Sequence, residues 1–278
     1  MVVAPARGRR PGALAPAVEP ESTEELEACP FCEGREARTP PESLALPPRA
    51  PADSPGWRVR VVPNLYPAFE RQEVVVHSPR HVRSFAELDN EDVGLVAEAW
   101  RLRAEAAREA GFAYLHALVN EGRAAGASLA HSHSQLVWLR EPPPAVAAEG
   151  DAREPVAALL REAAASGLEV ERTAGAAAIC PPAGRVPYAV LIAAPGGGED
   201  PFAAGALAPA LLALRNVVRR LRAVAGPVPW NAWLHAGAGW HLELVPRTTV
   251  LAGVELGAGI HVNPLPPEQA AAALRGAA

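Results

Sequence analysis

The chain has 278 residues and 49% hydrophobic content, enough for one large domain or two fused small ones with an ample core. A formal charge of −5 excludes the basic footprint of a bulk nucleic-acid binder, and no stretch approaches the roughly twenty uninterrupted apolar residues of a membrane span. All 26 basic residues are arginine, which excludes Schiff-base lysines, pyridoxal chemistry and the GxxxxGK[ST] phosphate loop.

Residues 1–28 are rich in Pro, Ala and Glu, lack an apolar signal core, and read as a flexible N-terminal arm. Residues 39–55 share that composition, so both read as arms around the turn Cys29-Pro30-Phe31-Cys32, with the packed body starting near Trp57. Three cysteines cannot form a disulfide framework, and the CxxC spacing suits a metal or a redox pair, so a reducing, cytoplasmic setting is expected.

From Trp57 the pattern predicts strands over 57–62 and 73–77, a helix over about 86–110, and strands over 114–120 and 134–139. Leu88, Val93, Val96, Trp100 and Leu102 would form the helix's apolar face. The second half repeats this order: strands over 176–179 and 188–193, a helix over about 207–224, and strands over 230–235 and 240–245. Short stretches align as well, such as YLHALVN with WNAWLHAG, so two copies of one unit are expected. One copy carries His131-x-His133 where the other carries His241-x-Glu243.

Chemistry concentrates in residues 120–135, NEGRAAGASLAHSHSQ, where a small-residue loop runs into two histidines and a glutamine. Small residues let backbone N–H groups close around an anion. In an extended segment His131, His133 and Gln135 share one face. Imidazole is a competent nucleophile toward phosphorus, and Gln135 and Ser128 can donate to a phosphoryl oxygen. The alternatives for HSHSQ are a polar strand edge or a metal site. Cys180 reads as a core residue, and His77, His116 and His261 carry no motif support.

With these residues in view, the sequence resembles the galactose-1-phosphate uridylyltransferase family of the histidine-triad superfamily, and most closely its ADP-glucose phosphorylase branch. The resemblance runs from about Cys29 to Arg275 and rests on CPFCEGRE, WRVRVVPNLYPA, SPRH, NEGRAAGASLAHSHSQ, WHLELVP and GVELGAGIHVNPLPPE in that order. It implies that His133 takes a nucleoside monophosphate from a nucleoside diphosphate sugar, expelling a sugar 1-phosphate, and that a phosphorylated acceptor or phosphate then receives it. It assigns Gln135 and Ser128 to the transferring phosphate, Asn64 and Asn120 to the nucleotide, and Glu255 to substrate hydroxyls. For Asn64, turn chemistry is an equal alternative.

The resemblance also implies a structural zinc on Cys29, Cys32, His81 and His131, a donor set suited to a closed tetrahedral site. A second metal near His235, His241, Glu149 and Glu243 is left unassigned. The expected fold is α+β: two fused histidine-triad-like repeats, each a mostly antiparallel sheet with a packed helix, over 29–150 and 151–278. The leading expectation is a cytoplasmic, homodimeric UDP-glucose:hexose-1-phosphate uridylyltransferase of galactose metabolism, without nucleic-acid or membrane partners. The alternatives are an ADP-glucose phosphorylase, a nucleotidyl hydrolase and a non-catalytic zinc-stabilised nucleotide-binding module. Ser132 and Ser134 stand where the uridylyltransferase form usually has Pro and Gly, which leaves base and acceptor open.

Overall fold

The computed structural model describes residues 1–9, 18 and 20–277; part of the arm expected over 1–28 therefore lies outside the described residues. The N-terminal half contains β1 (Val2–Val3), α1 (Thr23–Ala28), β2 (Leu44–Leu46), β3 (Val59–Pro63), β4 (Arg71–Val76), α2 (Asn90–Glu109), β5 (Tyr114–Glu121) and β6 (His133–Leu139). The linking helices α3 (Pro144–Glu149) and α4 (Arg153–Ala165) follow. The C-terminal half contains β7 (Glu169–Arg172), β8 (Ala177–Ile179), β9 (Val190–Ala193), α5 (Leu207–Ala225), β10 (Trp230–His235), β11 (His241–Pro246), α6 (Gly253–Ala258), β12 (Val262–Asn263) and α7 (Pro267–Gly276).

Ten strands form one sheet in the order β2-β3-β4-β6-β5-β10-β11-β9-β8-β7, with every neighbouring pair antiparallel. The order reads the same from either edge: three strands, a helix and two strands in each half, joined where β5 meets β10. This is an α+β fold of two fused repeats, as the sequence patterning implied. The seam pairs Trp230 with Glu121, Asn231 with Asn120, Ala232 with Val119 and Trp233 with Leu118.

Val-rich runs form the strands because β-branched side chains suit a pleated surface. In β3 and β4, Val59, Val61, Val62, Val75 and Val76 are fully or almost fully buried. Asp89 starts α2, its carboxylate accepting from the Asp92 N–H at 2.8 Å. Leu88, Val93, Val96 and Trp100 are buried and Leu102 is half-buried. α2 and α5 pack against each other over the sheet and share one core with it.

The arm expected over 39–55 is corrected. Leu44–Leu46 is an edge strand, Ser43 N–H bonds to Val61 O, and Arg60, almost wholly buried, pairs with Glu42 at 2.8 Å and with Asp53. A strand of three residues is too short to show a period, so it is legible only through its partner. In the N-terminal stretch, Val2–Val3 pairs with Val262–Asn263, and Ser22 caps α1.

Candidate functional site

β6 begins at His133, between β4 and β5, with Val76 opposite His133 and Val74 opposite Gln135. His133 is buried, and its Nδ1 lies 2.7 Å from the His131 carbonyl oxygen. A carbonyl only accepts, so Nδ1 carries the proton and Nε2 keeps its lone pair. Burial pushes the ring's pKa below the ordinary histidine value, against the opposing bond to His131. The ring is therefore neutral near pH 7, the state nucleophilic attack requires.

Gln135 receives the Gln72 amide on its own oxygen at 2.7 Å, which turns its NH₂ outward as a donor. Asn120 is fixed in the same sense, because Asn231 Nδ2 donates to its Oδ1 at 2.7 Å and also to the Ala125 carbonyl at 2.7 Å. A small void joins His133 to Asn120, Gly122 and Arg83. The loop after β5 leaves through Gly122 at φ +85°, where a Cβ would sit 3.0 Å from Pro229. That loop carries Ser128 into a neighbouring cavity of about 470 Å³, lined also by Glu25, Cys29, His81, Arg83, Arg123 and His131.

The metal-type residues converge. Ligand atoms of Cys29, Cys32, His81 and His131 all lie within 4.8 Å of one another. His131 Nε2 donates to the Ser78 carbonyl at 2.9 Å, so its Nδ1 is bare and faces Cys29 Sγ at 3.4 Å and Cys32 Sγ at 3.7 Å. His81 Nε2 meets Glu25 Oε1 at 2.9 Å, leaving Nδ1 3.4 Å from Cys32 Sγ. Tetrahedral legs of about 2.3 Å to sulfur and 2.0 Å to nitrogen span about 3.5 Å between donors, so the spacing fits a metal such as zinc. Burial and the neighbouring Cys29 push the Cys32 thiol up to about 12, while burial pushes His131 down to about 3. A shared cation would reverse the thiol's preference and bind the neutral rings as they stand.

A second group joins Glu149, His235 and His241, with His235 Nδ1 2.7 Å from Glu149 Oε1. His241 opens β11 as His133 opens β6. Burial opposes its charging, but the Glu243 carboxylate, the Gly239 carbonyl and Glu149 raise its pKa.

Residues 67–143 match the family model for the galactose-1-phosphate uridyl transferase N-terminal domain. An ADP-glucose phosphorylase from Arabidopsis thaliana is 27% identical over 99% of this chain and 89% of that protein. The crystal structure of an ADP-glucose phosphorylase from Arabidopsis thaliana with bound ADP-glucose superimposes with a TM-score of 0.82, at 25% identity, over 98% of this chain and 93% of that one. This chain is a nucleotidyltransferase related to the galactose-1-phosphate uridyl transferases. A structure of a uridylyltransferase shares the fold at 24% identity and a TM-score of 0.78, over 95% of this chain and 94% of that one.

Against the uridyl transferase pattern, His133, Gln135 and Asn120 assemble around one strand pair, and Ser128 lines the adjoining cavity. Asn64 lies in the β3–β4 turn, its Oδ1 accepting from Tyr66 N–H at 2.9 Å, as turn chemistry requires. Glu255 accepts from Ala252 N–H at 3.0 Å at the start of α6 and lines none of the described cavities around His133. Sequence reasoning passed over Phe31, whose ring meets His131 and His133 edge-on at 6.0 and 5.5 Å. It also passed over Gln72, Glu25 and Asn231, whose strands and helix come from elsewhere in the chain. Phe31 alone had a local signal, its place inside CPFC.

Proposed function

We propose that this protein transfers a nucleoside monophosphate from a nucleoside diphosphate sugar to phosphate through His133, as the adenylyl transfer of an ADP-glucose phosphorylase. The observation that carries the reading is the bond from His133 Nδ1 to the His131 carbonyl, which leaves Nε2 bare in the void shared with Asn120.

In the first step the Nε2 lone pair attacks the α-phosphorus. The new N–P bond replaces the bond to the bridging oxygen, which leaves with its electron pair as sugar 1-phosphate. The positive charge gained by the ring is stabilised by the His131 carbonyl, and Gln135 and Ser128 donate to the non-bridging oxygens. In the second step an oxygen of inorganic phosphate attacks the same phosphorus, the P–N bond breaks, and ADP leaves with the histidine restored. Asn120 and Asn64 are assigned to the nucleotide and Glu255 to the sugar. A zinc ion on Cys29, Cys32, His81 and His131 supplies structural rigidity when bound, and Cys29, Cys32, His81 and His131 would hold it. The catalytic copy is assigned to residues 29–150 and its diverged twin to 151–278, in a reducing, cytoplasmic setting that keeps the thiols available.

Adenylyl transfer is favoured by the Arabidopsis ADP-glucose phosphorylase, alike over nearly the whole chain. Uridylyl transfer to a hexose 1-phosphate is the second reading, favoured by the family model matched over residues 67–143. Intact mass measurement after incubation with ADP-glucose or UDP-glucose separates the two. An AMP adduct that inorganic phosphate discharges as ADP, absent from His133→Ala, is expected. A UMP adduct discharged only by a hexose 1-phosphate would select the second reading, and no adduct from either sugar would remove covalent transfer.

A further inference from the structure

The face of β6 opposite His133 is also polar. His77, just beyond β4 and wholly buried, has Nδ1 3.0 Å from Ser132 Oγ and Nε2 3.0 Å from Ser134 Oγ. One ring thus spans the two serines that flank His133. Trp100 of α2 reaches the same place, its Nε1 2.9 Å from Ser134 Oγ.

The donors set a direction. An indole N–H only donates, so Ser134 accepts from Trp100 and its own proton goes to His77 Nε2. The His77 proton then sits on Nδ1 and goes to Ser132. The reverse order would strand a proton on Ser134, which is wholly buried, whereas Ser132 keeps slight exposure. Burial, with His133 and His131 nearby, also holds the His77 pKa well below the ordinary value, in keeping with a neutral ring.

The chain of contacts reaches the nucleophile through the backbone. Ser132 is held at three points: its side chain on His77, its carbonyl by the His77 N–H at 3.2 Å, and its N–H on the Val82 carbonyl at 2.7 Å. The peptide entering Ser132 carries the His131 carbonyl, the same oxygen that receives the His133 Nδ1 proton. Fixing Ser132 therefore fixes the acceptor that decides which nitrogen of His133 is bare.

We propose that His77 is a positioning residue: it grips Ser132 and Ser134 from behind the strand and so sets the orientation and tautomer of His133. The proposal rests on the reading of His133 as the nucleophile. Serine does not restrict φ as proline does, so the anchoring comes from the buried ring.

Three variants test it: His77→Phe, which keeps the ring's bulk without its nitrogens, His77→Gln, which returns a donor and an acceptor, and Ser132→Ala, which cuts the link without altering the ring. For His77→Phe, the single-turnover rate of nucleotidyl-histidine formation is expected to fall about 100-fold, as for a small misplacement of a reacting group. KM for the nucleotide sugar should stay within about twofold if binding is untouched. Ser132→Ala should behave alike, and His77→Gln should recover most of the rate. The ¹⁵N resonances of His133 should show one tautomer in the wild type and a mixture in His77→Phe and Ser132→Ala.

Should His77→Phe fail to fold, Ser132→Ala decides. Wild-type rates and an unchanged tautomer in a folded Ser132→Ala protein would overturn the proposal. If the wild type forms no adduct at all, the nucleophile reading fails, and the tautomer measurement still decides whether His77 sets the ring.

Discussion

Glu121 closes β5 beside the candidate site, buried, accepting from Ser84 Oγ at 2.8 Å and Phe85 N–H at 2.9 Å. Burial pushes its pKa up to about 7, against the opposing pull of those two donors. A carboxylate raised on folding binds more protons in the native state, so its contribution is complete below the unfolded pKa and is lost as pH rises through about 7. Denaturant unfolding at pH 5 and pH 8 should show wild-type stability falling by up to about 3 kcal/mol more than that of Glu121→Gln, whose side chain cannot ionise. For the proposed transfer, Gln135→Ala should lower kcat by about 10²–10³-fold with little change in KM, the mark of a donor used in the transition state. His133, Gln135, Asn120 and the four metal-type residues were legible because each lies in a short motif whose chemistry limits its uses. The residues that aim them were not: Gln72, Asn231 and Glu25 sit 63, 111 and 56 positions from the groups they hold. Ser132 and Ser134 were visible as a departure from the family pattern, but their partner His77 had no motif to mark it.

Among the elements, the β10–β11 turn shows how tightly a connection can be specified. Gly239 has φ +82°, and a Cβ there would lie 2.2 Å from the Ala152 carbonyl carbon and 2.4 Å from Arg153 N, at the start of α4. Backbone cannot yield as a side-chain tip can, so Gly239→Ala should cost about 3 kcal/mol or more from overpacking and left-handed strain together, read as a lower denaturation midpoint. Long periodic elements were legible to within a few residues: α5 and β10 stand almost where the pattern placed them, and α2 begins four residues late because a turn of 3₁₀ helix, Phe85–Glu87, precedes its Asp89 cap. The short edge strand β2 was not, because three residues carry no period and Pro47 follows it directly. What makes it a strand is β3, together with the buried Arg60–Glu42 pair beneath it.

For the whole molecule, the doubling of one unit was legible because strand and helix periods recur in the same order in both halves. Its consequence for activity is open to a direct check: His241→Ala should still form the nucleotidyl adduct at His133, since only the first half joins a bare imidazole nitrogen to Gln135 and Asn120. Loss of the adduct in a folded His241→Ala protein would mean both halves act. The Cys29–Cys32–His81–His131 quartet ties the CPFC turn to the start of β6, so metal removal is expected to act on the fold before the chemistry. A strong chelator should lower Tm by more than about 5 °C, and purified protein with little zinc and an unchanged Tm would contradict the site. The seam between the halves bears on how substrate enters. Asn120 stands in the ladder where β5 meets β10, with Asn231 opposite it. Swinging the halves apart would tear that ladder at the very residue assigned to the nucleotide. A route that spares the ladder runs past the loop over 122–130, whose residues line both the cavity and the void beside His133.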